Sequence, residues 1–111
     1  MPDSSSELLH GTLDTLILNT LADGRCHGYA IARAIEQATD DVVQVEEGSL
    51  YPALYRLERK GVIEAEWGTS ELNRRAKFYR LTPRGRKALA AQTAEWARFA
   101  AAISKALLAG A

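Results

Sequence analysis

The chain has 111 residues, 47% of them hydrophobic and 25% charged, which is ordinary globular usage and fits one compact domain with room for an arm or a pairing element. Disorder, a fibrous class and a pair of catalytic domains are excluded. Fourteen Lys and Arg balance fourteen Asp and Glu, yet residues 1–47 hold nine acids against Arg25 and Arg33, while residues 74–87 carry seven cations and no acid. Such a local excess on a neutral chain is the signature of an anion-facing surface.

A lone cysteine, Cys26, excludes an intramolecular disulfide framework and fits a reducing compartment. The N-terminus lacks a basic, apolar leader, and no apolar run reaches the roughly 18 residues that a membrane helix needs. A soluble, cytoplasmic protein with no membrane partner is expected.

Residues 1–6 are polar and Ser-rich and are read as a flexible tail. Leu9, Leu13, Leu16, Ile17 and Leu21 recur at spacings of three and four, predicting a first helix from Glu7 that Asp23-Gly24 stops. A second helix starts near His27-Gly28, keeps Ile31, Ala32, Ile35 and Ala38 in phase, and ends at Thr39-Asp40-Asp41. Val42, Val43 and Val45 predict a short extended stretch. Leu50, Leu54 and Leu57 mark a third helix over 49–60, with Pro52 in its first turn and Gly61 past its end. Residues 62–67 and 76–81 read as strands around a basic loop, 68–75. Thr82-Pro83 then supplies an N-cap and a first-position proline for a long, Ala-rich helix over 84–109.

Three helices followed by a hairpin with a basic loop is the element order of a winged helix-turn-helix. The expected fold is therefore α+β and mostly helical. It comprises the tail (1–6), a winged helix-turn-helix DNA-binding domain (7–82) and a long C-terminal dimerisation helix (83–111). On the third helix, Ser49, Pro52, Ala53, Arg56 and Lys60 are expected to project away from the three leucines, with Tyr51, Tyr55 and Arg59 at the flanks. Arg56 is the candidate base reader, since a guanidinium can bond a guanine edge twice; Ser49 and Tyr51 sit where a helix N-terminus favours phosphate. Tyr55 is open between contacting DNA and packing. Arg74, Arg75 and Lys77 suit phosphate or a narrow minor groove. Arg80, Arg84, Arg86 and Lys87 are weaker candidates at the start of the last helix.

Several strings resemble the PadR-like transcriptional regulators: Gly11-Thr12-Leu13-Asp14, His27-Gly28-Tyr29-Ala30-Ile31, and Glu47-Gly48-Ser49-Leu50-Tyr51-Pro52-Ala53-Leu54 with Arg56-Leu57-Glu58. Gly61, Arg74-Arg75 and Tyr79-Arg80-Leu81-Thr82-Pro83-Arg84-Gly85 extend the match over roughly residues 8–90. The resemblance implies a homodimeric repressor on double-stranded, pseudo-palindromic DNA, of the short kind with one C-terminal helix. It also suggests a phosphate contact for Tyr29, whose residue-level alternative is packing between helices. In some short relatives an aromatic on the last helix lines a pocket for planar hydrophobic effectors; Trp96 is the residue here that could do so.

Leu89, Trp96 and Ile103 recur every seven residues with Phe99, Ala100 and Leu107 beside them, a stripe suited to pairing with a second copy. Leu9 is assigned to the same interface. Pairing would set two third helices about 34 Å apart, one DNA turn. The sequence holds no glycine-rich phosphate loop, no Gly-x-Ser-x-Gly elbow and no metal-ligand spacing around His10, Cys26 and His27, so neither an enzyme nor a cofactor is expected. Asp40, Asp41, Glu46 and Glu47 read as a solvated charge run. The competing expectation is a winged-helix module that binds protein partners without direct operator contact.

Overall fold

The computed structural model describes residues 4–110, with side chains from residue 11 onward. Its elements run α1 (Ser4–Leu21), β1 (Cys26–His27), α2 (Gly28–Ala38), α3 (Glu47–Arg59), β2 (Ile63–Thr69), β3 (Arg75–Leu81) and α4 (Pro83–Leu108). Of the expected tail, residues 1–3 lie outside the described residues and Ser4 already belongs to α1. The side chain of Leu9 also lies outside them.

One apolar core joins the elements. Leu13, Ile17, Leu18 and Leu21 of α1 meet Ile31 and Ile35 of α2, Leu50, Ala53, Leu54 and Leu57 of α3, and Ile63, Tyr79 and Leu81 of the hairpin. The helical spacing of these residues makes each helix amphipathic, and their burial is the main favourable term.

His27 caps α2: its Nδ1 accepts from the Ala30 N–H at 3.4 Å. The same residue and Cys26 form β1, which pairs with Tyr79 and Phe78, so the sheet has three strands in the order β1-β3-β2 rather than the two expected. A two-residue strand carries no periodicity to read. Burial pushes the Cys26 thiol up, against a smaller opposing effect of the His27 backbone.

The valines after α2 form no strand. The chain turns through Asp40 and Asp41 at φ 50° and 62°, and Val43 and Val45 lean on the core. Buried Glu36 organises this loop, accepting from the Val45 N–H and from Arg33 Nη1, both at 3.0 Å. With no neighbouring strand to pair, β-branched propensity has nothing to act through.

Helix α3 starts at Glu47, so Pro52 falls in its second turn, not its first. The ring cannot donate to the Gly48 carbonyl, but both residues are exposed and solvent can serve that oxygen. The hairpin strands also run longer than expected, leaving only residues 70–74 as the loop and placing Arg75 in β3 opposite Thr69.

Helix α4 is fastened at its start. Thr82 Oγ1 accepts from the Gly85 N–H at 3.0 Å and donates to the Gly61 carbonyl at 2.7 Å, while the Thr82 N–H donates to the Val62 carbonyl at 3.2 Å. Gly85 is buried, and a Cβ there would fall on the Val62 carbonyl. Gly85→Ala gains up to about 1 kcal/mol of helix propensity but forces apart two backbones, an overpacking cost of about 1–3 kcal/mol. A lower melting temperature is therefore expected for Gly85→Ala in thermal unfolding, and an unchanged or higher one would contradict this close approach.

Candidate nucleic-acid interface

The exposed face of α3 is set by what the helix buries. Ala53 is 0% exposed alongside Leu50, Leu54 and Leu57, whereas the sequence pattern places it outside. Including Ala53 turns the helix, so its outward line is Gly48, Pro52, Tyr55 and Arg59 at spacings of three and four. Tyr55 is 61% exposed and carries the Arg59 guanidinium 5.7 Å from its ring centroid. Arg59, which the sequence pattern assigns only to a flank, thus closes this outward line at the last residue of α3.

Arg56 is turned toward α1 instead. Its Nη2 donates to Asp14 Oδ1 at 3.1 Å, and the Asp14 side chain is largely buried. Lys60 follows on the same side, Ser49 is half-buried, and exposed Pro52 lies on the outward line. Tyr51 lies across the start of α2: a Cβ on Gly28 would meet its ring and hydroxyl at 3.0 Å. Tyr29, the next residue along α2, is 69% exposed in its first turn, so it does not pack between helices.

The wing has two unlike faces. On one, Glu64, Glu66, Phe78 and Arg80 alternate with the core side, and the charges neutralise one another. Arg80 Nε donates to Glu64 Oε1 at 2.7 Å, a bond that raises the Arg80 pKa, and Arg25 pairs with Glu66 at 3.0 Å while lying 4.3 Å over Phe78. On the other face, which continues the core side toward α3, stand Trp67, Arg75 and Lys77. Lys77 Nζ reaches Glu58 of α3 at 3.5 Å and lies 5.6 Å from the Tyr79 ring. Burial, then the Glu58 charge and Tyr51, push the Tyr79 phenol up.

Arg75 stacks on Trp67, 4.5 Å from the ring centroid, and Arg74 stands exposed at the loop. Among the described residues no carboxylate lies within ion-pair distance of Arg59, Arg74 or Arg75. The sequence pattern does not single out Trp67, which reads as one more strand residue; its alternation with Ala65 and Thr69 is the signal available.

Along α4, Trp96, Phe99, Ile103 and Leu107 are exposed on one stripe and Ala100 is half-buried, while Leu89 packs on its own chain's core. The seven-residue repeat therefore begins inside the domain and leaves it only at Trp96. A cleft of about 710 Å³ opens between α1 and α4, lined by Asp14, Thr15, Lys60, Trp96 and Phe99 among others. Thr15 Oγ1 donates to Gln92 Oε1 at 2.8 Å across its floor. Among the described residues no group of three His, Cys, Asp or Glu gathers as a metal site, and no helix is long and apolar enough to cross a membrane.

Comparison with known proteins gives this geometry a family. The pattern of the transcriptional regulator PadR-like family matches residues 17–91. An uncharacterised protein X of Lysinibacillus sphaericus is 36% identical over 92 residues, covering 83% of this chain and 84% of that one. A transcriptional regulator from Clostridium thermocellum superposes with a TM-score of 0.79 at 35% identity, covering 89% of this chain and 96% of its own. A PadR family transcription regulator from Clostridium difficile gives a TM-score of 0.70 at 33% identity, covering 86% and 97%. The wing, the α3 face and the family match lead to one conclusion: the chain belongs to the PadR-like family of transcriptional regulators, with a winged-helix fold and a regulatory rather than an enzymatic role.

Proposed function

We propose that the protein is a cytoplasmic, homodimeric, sequence-specific DNA-binding repressor whose hold on a pseudo-palindromic operator is relieved by a small hydrophobic effector. The observation that carries the DNA contact is the set of unneutralised cations: Arg59 beside Tyr55 on the outward line of α3, Arg75 on Trp67 on the core-side face of the wing, and Arg74 at its loop, with no carboxylate within ion-pair distance of the three arginines among the described residues. Arg59 and Tyr55 face the bases. Arg74 and Arg75 meet phosphate from the wing, with Lys77 held beside them by Glu58, and Tyr29 with Ser49, Tyr51 and Lys60 borders the surface. Arg56 braces α3 against α1 through Asp14.

Support for pairing comes from α4, where every residue from Ala101 to Leu108 is exposed and the apolar stripe from Trp96 to Leu107 has no cover from its own chain. An isolated helix this exposed is poorly stabilised in water, and a second copy supplies the missing cover. The cleft volume lies within the roughly 300–1,000 Å³ typical of small-molecule sites. Trp96 and Phe99 belong to both stripe and cleft, so an effector and the partner address the same side chains.

Duplexes selected by the full chain from a random pool test the DNA contact. Binding should fall steeply with salt, and Arg75→Ala should lower the log–log slope by about 0.9 for the one phosphate it leaves unneutralised. Arg59→Ala should relax the preference at one base pair, costing about 1–3 kcal/mol there, while Arg56→Ala keeps the same preferred site. A salt-insensitive interaction, or recovery of no duplex, would favour the protein-binding module instead. For pairing, Phe99→Asp with Ile103→Asp should sediment as a monomer at concentrations where the unaltered chain is a dimer; an unaltered chain that sediments as a monomer contradicts it.

A further inference from the structure

Trp67 is 59% exposed on the core-side face of β2. It lies opposite Lys77, and Arg75 stands two residues along β3 on the same face, diagonal to the indole and 4.5 Å above it. We propose that Trp67 is a positioning residue: its ring holds the Arg75 guanidinium in place on the wing so that the cation meets a DNA phosphate already oriented. This rests on the DNA-binding function proposed above.

The chemistry of the partners separates Arg75 from the other strand cations. Lys77 is held by Glu58, and Arg80 by Glu64 with Glu66 nearby at 3.9 Å. Arg25 is also stacked on a ring, Phe78, but Glu66 neutralises it at the same time. A carboxylate partner orients a guanidinium and cancels its charge. An aromatic face orients it through the ring quadrupole and leaves the net charge and the N–H donors at the guanidinium edge for an incoming anion. Arg75 therefore gives up part of its rotamer freedom before DNA arrives, which reduces the ordering cost at binding. An indole this exposed gains little from burial in the free chain, so its contact with Arg75 is the interaction that gives the residue a use.

The stack is read in the free protein and the role in the complex. With Trp96→Phe leaving Trp67 as the sole indole, Arg75→Ala should shift the indole emission and increase its quenching by acrylamide; unchanged emission and quenching overturn the stack. In the otherwise unaltered chain, Trp67→Ala and Trp67→Leu should each weaken a selected duplex about two- to fivefold with the salt slope retained, since the cation remains. Trp67→Phe should restore most of the affinity. The Trp67→Leu, Arg75→Ala double variant should bind as Arg75→Ala does. Leu keeps apolar bulk without a π face, so full affinity in Trp67→Leu, or effects that multiply in the double variant, overturn the positioning role. A chain that retains no duplex from the pool overturns the DNA reading and this role with it, whereas retained binding that ignores Trp67 overturns the role alone.

Discussion

The rotation of α3 about its own axis decides what this domain can offer a duplex. That rotation is set by Leu50, Ala53, Leu54 and Leu57, all at 2% exposure or less. Burying each leucine is worth about 1.5–3 kcal/mol, whereas a partly exposed ion pair such as Arg56–Asp14 contributes about 0.2–1 kcal/mol. Packing therefore turns the helix, and the ion pair forms where the turned helix brings Arg56. Tyr55 and Arg59 face outward as the geometric remainder of that burial.

What is legible in the sequence follows the same hierarchy. The ends of α2 and α4 can be read because His27, Thr82 and Pro83 carry capping chemistry in their own side chains. The face of α3 is misplaced by its sequence pattern because Ala53 adds almost no hydropathy signal: three leucines at i, i+4 and i+7 suit a helix turned either way, and only the packing that buries Ala53 in the core decides. The short strand β1 and the bent valine loop depend on β3 and on Glu36, partners that local propensity cannot anticipate. The strings shared with PadR-like regulators point to the correct family because they span those same core and turn positions.

Counting charges locates the basic segment but not its available part. Arg56, Lys77 and Arg80 each find a carboxylate on another element: Asp14, Glu58 and Glu64. Arg74 and Arg75 do not. A chain with no net charge is in this way given a polarised wing, one face neutralised within itself and the other positive next to α3. The cations that count are those whose partners in the fold are neutral rings or water, and only the three-dimensional pairing reveals which they are.

The junction at Gly61, Val62, Thr82 and Gly85 ties these surfaces to α4. Its contacts are backbone to backbone, or backbone to one short hydroxyl, with Gly85 leaving no side chain to yield. Close-packed contacts of this kind transmit displacement instead of absorbing it. The first turn of α4 is therefore a rigid extension of the turn between α3 and the wing, while its distal half has no comparable hold on the domain. A dimer built on the stripe from Trp96 to Leu107 would inherit the angle set at Gly85, and the spacing of two α3 helices along DNA would follow from it. Anything that wedged between α1 and α4 near Trp96 would act on the same lever, midway along the helix from its fulcrum.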